Sequence, residues 1–172
     1  MAIVQLEKYD AVLCSTYAAQ FCWNAHKIGA KKHHGYTSSR NFEQTMAHYF
    51  VGCMAEAACC RYYGMPYDLN LDGLHSADLD GLCEVKGSTH ERSNLLIYDS
   101  QYHPDKLMVH VRLMDDFKAN LVGWIFGREA AEVWEERDSK RGGFDTPCKL
   151  VRWQHLKPIE SMPMDGRRFA RG

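Results

Sequence analysis

The chain has 172 residues, 45% hydrophobic and 25% charged, with a formal net charge of -1. This composition fits one ordinary domain with a real core and excludes wholesale disorder. It also excludes a polycation, so any nucleic-acid contact must come from a local basic patch.

The opening MAIVQLEKYD already carries Glu7, Lys8 and Asp10 and does not read as a signal peptide. No stretch reaches the roughly 18 apolar residues of a membrane span. The seven cysteines are an odd number, with Cys59 and Cys60 adjacent and no C-x-x-C pair. They read as reduced thiols, and the expected location is the cytoplasm, or the host cytoplasm if the source is viral.

Ile3 to Ile28 has few breakers and predicts a long first helix that Gly29 ends. Residues 30–39 read as a loop. A second helix, capped by Ser39 or Asn41, runs to about Tyr63 and is stopped by Gly64 and Pro66. Ser76 to Ser88 reads as a hairpin turning at Asp80-Gly81. Leu95 to Tyr98, Leu107 to Leu113 and Asn120 to Phe126 are predicted strands. Gly127 to Glu136 is a short helix, 138–147 a polar loop, Cys148 to Trp153 a last strand, and the basic tail frays. The order predicts an α/β or α+β sheet fold in one domain: 1–40 an N-terminal helix and loop, 41–156 the core, 157–172 a tail.

Glu56 is the one charged residue in YFVGCMAEAACC, a helical stretch apolar nearly all round. A carboxylate there needs compensation. Either it forms a structural ion pair, with Arg61, Lys86 or an N-terminal base, or it points into a polar cleft and helps hold a cation.

In ADLDGLCEVKG, Glu84 and Lys86 are two apart on a strand and share one face, while Cys83 and Val85 point into the core. E-x-K alone is a common edge-strand pattern. Asp78 upstream adds weight. A two-residue turn would put it on the opposite side from Glu84; a three-residue loop with a bulge would bring both carboxylates to one face. Asp80 is then a turn residue and the reserve candidate.

The helix with Gly52-x-x-Ala55-Glu56, then Asp78, then Glu84-x-Lys86 resembles the PD-(D/E)XK nuclease superfamily, and more narrowly its small phage and bacterial members. The match spans roughly 42–125. Ala77 stands where the name-giving proline often stands, and the Asp78 to Glu84 spacing is short. The resemblance implies a restriction-endonuclease-like core, a mixed β-sheet flanked by helices after two N-terminal helices. It implies a metal-dependent deoxyribonuclease in which Asp78, Glu84 and the Val85 carbonyl hold Mg²⁺ or Mn²⁺. Glu56 would join through water or a second ion, and Lys86 would stabilise the attacking hydroxide and the developing charge.

DNA, expected as a duplex, would be held by basic residues contacting phosphates: Lys31, Lys32 and Arg40, with Lys27, His33 and His34, around the first loop, then Arg92, Arg141, Lys149 and Arg152. No membrane partner is expected, and a homodimer is left open. Structural zinc at Cys22 and His26 lacks a second ligand pair. Trp124, Trp134 and Trp153 read first as core. The competing reading keeps the nuclease fold as an inactive nucleic-acid-binding or protein-inhibiting module.

Overall fold

The computed structural model describes residues 2–27, 42–67, 83–137 and 148–163. Strand β1 (Ala2–Gln5) is followed by α1 (Lys8–Lys27) and α2 (Phe42–Tyr63). Then come β2 (Cys83–Ser88), β3 (Leu95–Tyr98), β4 (Leu107–Leu113), β5 (Lys118–Phe126), α3 (Gly127–Val133), β6 (Glu135–Arg137) and β7 (Cys148–Val151). The protein is mixed α/β, with a four-stranded sheet ordered β1-β5-β4-β2 and a three-stranded sheet ordered β3-β7-β6. No described helix is long and apolar enough to cross a membrane.

Two elements differ from the sequence expectation. The first helix starts at Lys8, because Ala2–Gln5 pairs antiparallel with β5. β-Branched Ile3 and Val4 fit that pleat, and Asp10 accepts a 2.7 Å bond from the Glu7 amide where the helix begins. The third helix stops at Val133. Glu135–Arg137 pairs with β7, where Glu136 meets Lys149 and Glu135 meets Arg152, each at 2.6 Å. Helix α2 ends as expected: Gly64 adopts φ +66°, and Met65 N–H bonds the Cys60 carbonyl at 2.8 Å while Gly64 N–H bonds that of Arg61.

The four-stranded sheet has two different faces. Cys83 and Val85 of β2 and Val109 and Val111 of β4 join Met54, Ala55, Ala58 and Cys59 of α2 in the larger core. Gly87 marks the closest approach, since a Cβ there would lie 2.6 Å from the Val51 carbonyl oxygen and 2.9 Å from the Ala55 Cβ. On the other face, Met108 and Ile125 pack with Leu95, Ile97, Val151 and Ala130. The smaller sheet therefore covers part of that second face.

The second half of the expected hairpin, β2, pairs in parallel with β4. A parallel pair needs a crossover, and the chain makes it by leaving for β3 in the other sheet and returning. The upstream half of the hairpin, including Asp78 and the Asp80-Gly81 turn, lies outside the described residues.

Candidate functional site

Alternation on β2 decides what stands where. Cys83, Val85 and Gly87 face α2, so Glu84 and Lys86 face the opposite way. Glu84 is 6% exposed, and each of its oxygens meets one ammonium group. Lys86 Nζ lies 2.7 Å from Oε1, and Lys106 Nζ lies 3.0 Å from Oε2. Burial pushes the Glu84 carboxyl up, but Lys86 and Lys106 together outweigh it and hold the group below the usual carboxylate range.

Lys106 is a site residue that sequence reasoning missed. It precedes β4, and the register Glu84↔Met108 brings it beside β2 on the same face. Its backbone is anchored: its N–H bonds the His103 carbonyl at 3.1 Å, and its own carbonyl accepts from Gly127 N–H at 2.8 Å. Only the parallel pairing creates this neighbour, and no local spacing signals it.

His110 was missed for the same reason. It stands opposite Lys86 in the register and is 1% exposed. Its Nδ1 lies 3.3 Å from the Lys86 carbonyl and its Nε2 3.0 Å from the Ser93 hydroxyl. A carbonyl can only accept, so the fitting tautomer carries its proton on Nδ1 and accepts at Nε2. Burial, with Arg112 adding to it, pushes the imidazole down to about 4 despite these bonds, so it is neutral near pH 7.

The polar row continues past a bulge between His110 and Val111 to Arg112, whose register partner is Asn120. Arg112 Nε and Asn120 Oδ1 are both buried without a hydrogen-bond partner.

Glu56 is not brought to this face. Val51 and Ala55 mark the side of α2 that meets the sheet, and Glu56 lies about 100° beyond Ala55 around the helix. Its charge is felt by the Cys14 thiol and the Tyr67 hydroxyl in the helical layer. Burial pushes the Cys14 thiol up to about 11, with the Asp10 and Glu56 charges adding to it and the Tyr67 hydrogen bond opposing it. Tyr67 donates to the Cys53 carbonyl at 2.8 Å. Glu84 and Lys86 thus stand together on one face of β2, while Glu56 projects from α2, which packs on the other face. The helix covers the face of β2 that Cys83 and Val85 present, and the strand's two-residue period sends Glu84 the other way.

Among the remaining expected residues, Arg92 is exposed in the loop between β2 and β3, near Ser93. Arg152 is exposed but paired with Glu135. Lys149 is 17% exposed and paired with Glu136. Asp78, Asp80, Lys31, Lys32, Arg40, His33, His34 and Arg141 lie outside the described residues, as do the side chains of His26 and Lys27. All seven cysteines are buried, as the core reading expects for Cys14, Cys53 and Cys59. Trp124 is buried and donates to the Pro158 carbonyl at 3.0 Å, whereas Trp153 is 49% exposed and not core.

Among the described residues no group of three or more His, Cys, Asp or Glu side chains could hold a metal ion. Glu84 is the carboxylate that the described residues offer on this face, and one carboxylate is too few hard oxygen ligands for a Mg²⁺ site without a second donor. The described residues define a class no finer than a two-sheet α/β protein with a buried carboxylate clasped by two lysines. No family model, no curated protein and no solved structure matches this chain.

Proposed function

We propose that this protein is a Mg²⁺- or Mn²⁺-dependent nuclease acting on DNA, built on a restriction-endonuclease-like core. The observation that carries the reading is the pair of Glu84 and Lys86 on one face of β2, 2.7 Å apart, with the lysine side chain still 18% exposed. Asp78 and Glu84 would hold the ion, which when bound supplies a Lewis acid and an activated water. Lys86, bonded to Glu84, presents its ammonium group to the phosphodiester, where it meets the charge that grows at phosphorus. His110 holds the Lys86 backbone in place through its Nδ1. The reading carries with it a cytoplasmic location.

A second reading is favoured by a specific observation: both Glu84 oxygens are occupied by ammonium groups. A carboxylate so neutralised suits an inactive nucleic-acid-binding module. The experiment incubates supercoiled plasmid with the purified protein in Mg²⁺, in Mn²⁺ and in EDTA. Nicking or linearisation that needs the metal supports the nuclease. A retarded band without cutting in any condition supports the binding module and refutes the nuclease.

A further inference from the structure

We propose that Lys106 is a phosphate-binding residue, and that with Lys86 it forms a two-ammonium clamp for a phosphodiester of the nucleic-acid backbone. This deepens the DNA reading above and rests on it.

The first support is charge. Glu84 brings one negative charge, and the two lysines on it bring two positive ones. Among the described residues the cluster is therefore one cation in excess. Arg112 lies further along the same face, and the neutral His110 beside it supplies no compensating charge.

The second support is exposure. The Glu84 side chain is 7% exposed, against 18% for Lys86 and 24% for Lys106. An anion arriving from solvent meets the ammonium groups before the carboxylate. Each lysine has three donors and spends one on Glu84, so both retain donors for phosphate oxygens without breaking the existing bonds.

The third support is rigidity. The turn carrying Lys106 is tied to the start of α3 by the Gly127 amide on the Lys106 carbonyl and the Arg128 amide on the Pro104 carbonyl, both at 2.8 Å. A Cβ on Gly127 would lie 2.0 Å from the His103 carbonyl oxygen, so the two segments are in close backbone contact. The stem of Lys106 therefore starts from a fixed point, which lowers the ordering cost of binding a phosphate.

The test measures binding of a labelled 20-base-pair duplex in EDTA over a range of salt, so that neither cutting nor metal enters the readout. Removing a cation that neutralises one phosphate lowers the slope of log affinity against log salt by about 0.9 on duplex DNA. Lys106→Met keeps most of the apolar stem, and is expected to lower the slope by about that amount. Lys106→Arg should restore it, and Lys118→Ala, which removes a cation from the start of β5, should leave it unchanged. Circular dichroism and melting check that each variant is folded; if Lys106→Met unfolds, Lys106→Gln takes its place. The same series on an RNA duplex identifies the polymer: a lowered slope with either supports a phosphodiester site. An unchanged slope in Lys106→Met, an equal drop in Lys118→Ala, or no binding by the wild type overturns the proposal. A protein that cuts DNA while Lys106→Met keeps the wild-type slope remains a nuclease without this clamp. One that never cuts, yet loses slope with Lys106, keeps the clamp as a binding module.

Discussion

The imidazole of His110 lies across the parallel β2–β4 pair from Lys86, with Nδ1 3.3 Å from the Lys86 carbonyl. A buried, neutral histidine thus sits directly behind the proposed catalytic lysine.

This relationship has a pH signature. The His110 pKa falls from 6.5 to about 4 on folding, chiefly through burial. Between those values the unfolded chain binds more protons than the folded one, so stability rises with pH. The contribution is complete above pH 6.5 and is lost as pH falls toward 4. Its size is about 3 kcal/mol. Urea unfolding at pH 7 and at pH 4.5 measures it, and His110→Gln should flatten the difference. A His110→Gln profile parallel to the wild type overturns the assignment.

Glu84→Gln separates the carboxylate's charge from its shape. Two ammonium groups lose their counter-charge, and the expected destabilisation is about 2–4 kcal/mol. Because the folded Glu84 carboxyl is held below its ordinary value of 4.5, its stabilisation is present above that pH and is lost as pH falls through the lowered value. The same variant should abolish metal-dependent cutting yet tighten DNA binding in EDTA, since a negative charge leaves the clamp. Weaker binding together with a native circular dichroism spectrum would contradict this.

Lys86→Ala should keep its fold and still bind DNA in Ca²⁺, with the slope of log affinity against log salt lowered as in Lys106→Met. Single-turnover cutting of a labelled duplex in Mg²⁺ should fall by about a hundred-fold or more, as for loss of an electrostatic group at the transition state. Cutting at the wild-type rate would remove Lys86 from the mechanism.

Gly87→Ala tests the close approach that fixes which face of β2 the helix covers. The added Cβ would meet main-chain oxygen and Cβ atoms of α2 well inside contact distance. Destabilisation of about 1–3 kcal/mol is expected in thermal or urea melts. A neutral substitution would mean that α2 does not press on β2 at this point.

Helix α2 was legible from end to end, because its breakers, its Gly64 stop and its apolar surround are local. The strands at Leu95–Tyr98 and Leu107–Leu113 were legible for the same reason. So was the shared face of Glu84 and Lys86, which follows from the strand's period alone. Ala2–Gln5 was hidden by its length: four residues beside a long helical run carry too little periodicity to stand out. Glu135–Arg137 was hidden because its residues favour helix, and only pairing with β7 holds them extended.

By itself, then, the sequence determined α2, these strands and one polar pair on β2. The tertiary structure decided what surrounds that pair. Lys106 and His110 reach it through a parallel register that joins segments about twenty residues apart, and such pairing leaves no mark in local spacing. Glu56 is conspicuous in the sequence, since a charge in an apolar helix is visible wherever it points. Its direction is set by which side of α2 meets Gly87, and that long-range packing puts α2 and Glu84 on opposite faces of β2.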